Sequence, residues 1–133
     1  MDTVTQQSRR AEDLLLGALA ALALRGTKVL PVNEVSFHKH FAAALGVFEN
    51  ADEEIQHLAT FYHRDPVSRT YDELDHALIT AEQHRFVNFP NPTYSRLQIN
   101  LSRRAAEKLL EEWGDRRAVF EAAADSLAAS IES

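Results

Sequence analysis

Between Thr70 and Trp113 the apolar residues change period twice, from helical to alternating and back to helical, and that order admits few folds. Leu74, Ala77, Leu78 and Ala81 recur at helical spacing, which predicts one buried face on a helix over Tyr71 to Gln83. Thr70, with Glu73 three residues on, reads as the capping box that starts it. After Arg85 the pattern becomes strand-like in Phe86-Val87-Asn88-Phe89, is broken by Pro90-Asn91-Pro92, and resumes where Leu97, Ile99 and Leu101 alternate with Arg96, Gln98 and Asn100. That is a half-buried β-hairpin. Ser102 can cap the next helix, whose Ala106, Leu109, Leu110 and Trp113 share a face before Gly114 ends it.

A helix running directly into a hairpin and then into another helix resembles the winged helix-turn-helix superfamily. In that resemblance Tyr71 to Gln83 occupies the recognition-helix position, Phe86 to Leu101 is the wing, and Asn50 to Tyr62 is the preceding helix. The expected fold class is therefore mainly α with a small β-hairpin, about six helices plus a wing. One departure stands out: the connection from His63 to Arg69 is longer than the tight turn of the simplest helix-turn-helix units.

The rest of the chain supplies the core. Leu14 to Leu24 is so apolar that a helix from Ser8 to Leu24 must be wrapped by others, and Gly26 stops it. Arg9 and Arg10 ahead of this run invite a signal-peptide reading. However, Glu12 and Asp13 stand where such a leader is positive, and the run falls short of the roughly 20 residues of a membrane span. No membrane segment is expected. The absence of Cys fits a reducing, cytoplasmic setting and removes thiolate zinc sites and Cys nucleophiles.

Residues 1 to 7 are polar and expected to be disordered, and Thr27 to Val32 is expected as a short strand against the wing, confined to an edge by Pro31. Phe37, Phe41, Ala44, Leu45 and Phe48 form the core stripe of a helix from Ser36 to Phe48. Asn50 with Glu53 signals the start of the next helix, whose Ile55, Leu58, Ala59 and Tyr62 are buried before His63-Arg64-Asp65-Pro66 breaks it. Asp115 is the expected cap of a terminal helix over 115–133. Its stripe of Phe120, Ala123, Leu127 and Ile131 either returns to the core or pairs with a second copy, and a homodimer is expected from the latter. At 133 residues the chain fits a single domain.

With a formal charge of −6, this protein cannot hold nucleic acid by bulk electrostatics, so such a role needs local segregation of charge. The sequence provides it: no Asp or Glu occurs between Glu82 and Glu107, where Arg85, Arg96, Arg103, Arg104 and His84 all lie. The candidate contacts to double-stranded DNA are Arg64 and Arg69 before the recognition-position helix, Arg85, Tyr94 and Arg96 on the wing, and Arg103 and Arg104 on the following helix. The competing reading is a solvated face balanced by Glu107, Glu111 and Glu112. Against DNA, the recognition-position helix carries Asp72, Glu73, Asp75 and Glu82 but no Lys or Arg, which leaves Tyr71, His76, Thr80 and Gln83 as readers of base edges. The alternative partner is a basic protein, captured through Tyr71, Asp72, Asp75 and His76.

A narrower resemblance points the same way. The apolar first helix, the helix beginning near Val35-Ser36-Phe37, and Asp65-Pro66-Val67-Ser68 leading into Tyr71-Asp72-Glu73-Leu74-Asp75 are similar to the phage-associated, antitoxin-type domains called Panacea. Those carry a Gly-Pro-Tyr-Ser-like turn, from which Asp65 and Val67 depart. The resemblance implies a protein that neutralises or recruits another protein.

Six histidines raise the question of a metal, and Glu54 with His57 and Glu73 with His76 show the Glu-x-x-His spacing of di-iron bundles, which a hairpin-containing fold does not suit. His38 and His40 on one helix point about 200° apart and do not chelate together. No metal or cofactor is expected. No Gly-rich phosphate loop, Gly-x-Ser-x-Gly or self-selecting Ser/His/Asp set is present, and the expectation is a protein that is not an enzyme.

Overall fold

A helix without a polar face has to be enclosed, and α1 (Glu12–Leu24) is enclosed: every residue from Gly17 to Leu22 is buried. The computed structural model describes residues 9–89 and 96–132. Around α1 the chain runs through β1 (Val29–Leu30), α2 (Glu34–Phe48), α3 (Glu53–Ala59), α4 (Asp72–Gln83), β2 (Val87–Asn88), β3 (Leu97–Ile99), α5 (Arg103–Glu111), a 3-10 turn (Gly114–Arg116) and α6 (Arg117–Glu132). The fold is mainly α with a small antiparallel sheet.

α1 packs against α4, α5 and α6, and α6 lies along α2. The closest approach is at Gly17, where a Cβ would stand 2.4 Å from the Phe120 ring, so only glycine lets α1 and α6 come this near. Phe120 is itself wedged between Phe48 and Trp113, with ring centroids 5.4 and 4.7 Å away. Phe37, Phe41, Ala44, Leu45 and Phe48 fill the core as their spacing predicts, and so do Leu74, Ala77, Leu78 and Ala81. The terminal stripe returns inward: Phe120, Ala123, Ala124 and Leu127 are buried against α1 and α2. Of the outward residues of α6, Ala118, Val119 and Ala122 line a shallow groove with Ala43, Gly46 and Val47. The predicted terminal residues 1 to 7 lie outside the described residues.

The sheet has the order β1-β3-β2, with Val29 opposite Gln98, Val87 opposite Ile99 and Asn88 opposite Gln98. The strand expected within Thr27 to Val32 thus exists, at an edge. Leu97 and Ile99 point inward, which turns Arg96, Gln98 and Asn100 toward solvent.

Helix ends depart from the sequence reading more than helix faces do. α2 has a capping box, but it is made by Asn33 and Ser36: the Asn33 Oδ1 accepts the Ser36 N–H at 2.7 Å and the Asn33 N–H donates to the Ser36 Oγ at 3.0 Å. α3 is capped by Asp52 rather than Asn50 and stops at Ala59, short of Tyr62. Tyr62 instead ties the exit of α3 to α1, its hydroxyl donating to the Ala11 carbonyl at 2.5 Å. Burial, reinforced by Glu73, Glu12 and Asp13, holds that phenol protonated well above its ordinary range. Asp115 caps nothing; Gly114, at φ 61°, opens a 3-10 turn, and α6 begins only at Arg117. Ser102 caps α5 as expected, accepting the Ala105 N–H at 3.1 Å.

Candidate nucleic-acid interface

The segment that leads into α4 is a closed loop. Arg64 bridges Tyr71, the Asp65 N–H donates to the Thr70 carbonyl at 2.8 Å, and the Arg69 N–H donates to the Asp65 carbonyl at 2.8 Å. The Asp65 Oδ1 accepts the Val67 N–H at 2.8 Å and the Ser68 N–H at 3.3 Å, an Asx turn that replaces the short turn of simpler units. Closing the loop puts Arg69 at φ 64°, a left-handed conformation that costs a non-glycine residue about 1 kcal/mol. Arg64 and Arg69 are both exposed, the Arg64 Nε donating to the Arg69 carbonyl at 3.3 Å.

The capping box expected of Thr70 and Glu73 is absent. Tyr71 occupies the cap position without a side-chain bond into the helix, and the Thr70 hydroxyl pairs with the Ser68 hydroxyl at 2.7 Å. The reason is tertiary. His38 of α2, 2% exposed, reaches under the helix start: its Nδ1 accepts the Tyr71 N–H at 2.9 Å and its Nε2 lies 2.9 Å from the Asp75 Oδ1. An acceptor at Nδ1 leaves the ring proton on Nε2, which donates to the carboxylate. Sequence reasoning weighed His38 only as a metal ligand. The signal for its burial lay in its spacing, three residues before Phe41 and seven before Leu45 on the core stripe.

This arrangement changes which residues of α4 are available. Tyr71 is 6% exposed, stacked on His38 and edge-on to Tyr62, so it is not an accessible contact for DNA or for a protein partner. Asp75 is engaged by His38, and Glu73, half-buried, lines a groove beside α3 together with Arg10, His57 and Phe61. The exposed residues of α4 are Asp72, His76, Ile79, Glu82 and Gln83, with Thr80 half-buried beside them. The His76 Nε2 lies 3.8 Å from the Glu12 Oε1. The two Glu-x-x-His pairs do not converge as ligands: Glu54 is bonded to Arg9 and Arg116, while His57 packs edge-on against Phe61.

At its other end α4 closes with a Schellman motif. The Phe86 N–H donates to the Ala81 carbonyl and the Arg85 N–H to the Glu82 carbonyl, both at 2.9 Å, with Arg85 at φ 65° where glycine is usual. His84 stacks on Phe86 with ring centroids 5.6 Å apart. Beyond this end Arg96 is exposed on the outer side of the sheet, and Arg103 and Arg104 are exposed on the first turn of α5. Tyr94 and the Pro90-Asn91-Pro92 turn lie outside the described residues.

None of Arg85, Arg96, Arg103 and Arg104 forms an ion pair with a described residue. Glu107, four residues after Arg103 and able to take it, is held by Arg117 at 2.9 Å instead. Four other arginines are engaged: Arg9 with Glu54, Arg25 with Asp125, Arg116 with Asp52 and Glu54, Arg117 with Glu107 and Glu121. Compared with protein-family models, with curated proteins and with solved structures, the chain finds no match.

Proposed function

We propose that the protein binds double-stranded DNA through its basic end, as a winged-helix regulator in which α4 faces the duplex and the sheet and α5 hold its phosphates. The observation that carries this reading is the division of the arginines. In a chain with 20 Asp and Glu against 14 Lys and Arg, Arg85, Arg96, Arg103 and Arg104 stand exposed and form no ion pair with a described residue, while Arg9, Arg25, Arg116 and Arg117 are each held by a carboxylate. Arg64 and Arg69 flank α4 on one side and Arg85 on the other, so cations bracket the helix as phosphates bracket a groove. The acidity of α4 weighs against this reading: Asp72 and Glu82 are exposed, and Asp75, bonded to His38, keeps a half-exposed carboxylate. His76, Thr80, Ile79 and Gln83 remain toward the base edges, where an amide suits adenine and an aliphatic side chain the thymine methyl.

Capture of a basic protein is the alternative, and of its four residues Tyr71 is buried, while Asp72, His76 and the half-exposed Asp75 lie at the surface beside the exposed Ile79. Fluorescence anisotropy against a random-sequence duplex at two salt concentrations tests the choice. Binding in the micromolar range that weakens steeply between about 50 and about 200 mM salt is expected. A protein that leaves the duplex free even at the lower salt refutes the proposal and turns attention to Asp72 and His76.

A further inference from the structure

Where the end of α1, the start of β1, β3 and the beginning of α5 meet, they leave an open cleft of about 380 Å³. Its polar wall is formed by Thr27, Lys28, Gln98, Asn100, Ser102 and Arg103, and no carboxylate lines it. Two cations facing one cleft without a counter-charge is an unfavourable arrangement for a protein with carboxylates to spare. Neither Lys28 nor Arg103 forms an ion pair with a described residue; of the three carboxylates that share the neighbouring cleft with Arg103, Glu107 and Glu121 are paired with Arg117 and Asp125 with Arg25.

The wall is also fixed in place. Gln98 is paired on both sides, opposite Val29 and Asn88, and the Lys28 carbonyl accepts the Ile99 N–H at 2.8 Å. The Asn100 amide is oriented by its 2.7 Å bond to the Asn88 Oδ1. The Ser102 Oγ is committed as acceptor to the Ala105 N–H, which leaves its hydroxyl proton to donate. An ammonium, a guanidinium, two hydroxyls and a carboxamide around one opening form a donor set suited to a tetrahedral oxyanion.

We propose that this cleft binds a phosphate group, with Lys28 and Arg103 neutralising it and Ser102, Thr27 and Gln98 donating to its oxygens. The phosphate is either one of the duplex backbone or that of a small phosphorylated molecule, for which the volume leaves room. The inference does not rest on duplex binding, since Arg85 and Arg96 lie outside the cleft and the lining alone selects the ligand chemistry.

The test is a nitrogen-15 resolved magnetic-resonance titration of the purified protein with inorganic phosphate at constant ionic strength, repeated in the presence of a short duplex. Saturable shifts at the amides of Thr27, Lys28, Gln98, Ser102 and Arg103 are expected. Lys28→Gln and Arg103→Gln, both at exposed positions, should each weaken phosphate about tenfold, the loss of one charge-assisted bond, while leaving the rest of the spectrum in place. Competition between phosphate and duplex assigns the cleft to the DNA backbone; saturation that leaves duplex binding untouched assigns it to a small phosphorylated ligand. If inorganic phosphate moves none of these amides saturably, the proposal is overturned, whether or not duplex binds elsewhere. Phosphate shifts without any duplex binding would instead sink the DNA reading alone.

Discussion

Around Trp113 arginines are used as mortar, and around the sheet they are left bare. Arg9 and Arg116 lie over the indole at 4.1 and 5.2 Å and reach on to Glu54 and Asp52, joining the first residues, α3 and the start of α6. Arg85, Arg96, Arg103 and Arg104 form no ion pair with a described residue. In a chain of net charge −6 an unpaired arginine is a matter of placement, not of scarce carboxylates. Cations that could lower the folding free energy by pairing have been kept where they contribute nothing to the fold and remain available to an external anion.

The sharpest attempt to break that contrast is charge reversal at the bare end. Arg96→Glu with Arg103→Glu should lower duplex affinity on the order of a hundredfold or more, since two phosphate contacts become two repulsions, while a urea melt stays within about 0.5 kcal/mol of the parent. A folded double variant that binds duplex as before would clear these residues of the role.

The packed end has its own breaking point at Gly17. Alanine there gains about 1 kcal/mol of helix propensity but drives a methyl into Phe120, a buried ring with Phe48 and Trp113 behind it. The overpacking term should win, and denaturant titration of Gly17→Ala should show a net loss of about 1–3 kcal/mol.

A finer cut compares two helix ends of the same geometry. α1 closes with the Thr27 N–H on the Leu22 carbonyl and Gly26 at φ 92°, while α4 closes in the same way with Arg85 at φ 65°. Nothing stands near a Cβ at Gly26, so Gly26→Ala measures backbone strain alone, a loss of about 1 kcal/mol. Arg85→Gly should gain a similar amount and weaken duplex binding. Stability and affinity moving in opposite directions would mark Arg85 as a residue kept for its side chain; movement in the same direction would show it to be part of the scaffold.

Two smaller effects complete the series. Arg116→Met should cost about 1 kcal/mol or less and leave duplex affinity unchanged, because its ion pairs are partly solvated. Asp13 gives a pH signature: burial raises its carboxyl above the usual value of 3.8, against the bond from the Arg10 N–H and with the help of Glu12 and Glu112. A folded value above the unfolded one means the native state holds the proton more tightly. Stability therefore falls as pH rises from 3.8 through the raised folded value. Asp13→Asn should accordingly be more stable than the parent near neutral pH, and urea melts should show the advantage vanish below pH 3.8.

What could be read in the sequence was periodicity. The buried faces of α1, α2, α4 and α6, the inward residues of β3 and the edge strand β1 follow from spacing that no neighbour can alter. Caps were legible only where their partner is local. Ser102 capped as read, but Tyr71 took its acceptor from His38, 33 residues away, and that bond displaced the local capping box and buried a tyrosine that composition had left outside. The bond from His38 to Asp75 was equally out of reach of local spacing. The basic zone was visible as a run without acid, yet its lack of partners was not, because whether Glu107 serves Arg103 or Arg117 depends on where α6 lies. The candidate phosphate cleft was invisible in one dimension, its wall being drawn from residues 27–28 and 98–103.

The sheet carries a consequence for how the protein behaves when concentrated. β1 and β2, its two outer strands, are two residues long, and Pro31 directly after β1 has no N–H to donate. A passing chain is offered a rung or two on either side, too few to template a growing ladder. The small sheet that turns Arg96 outward is thus also one that resists edge-to-edge stacking, and crowding this protein should leave it free of fibres.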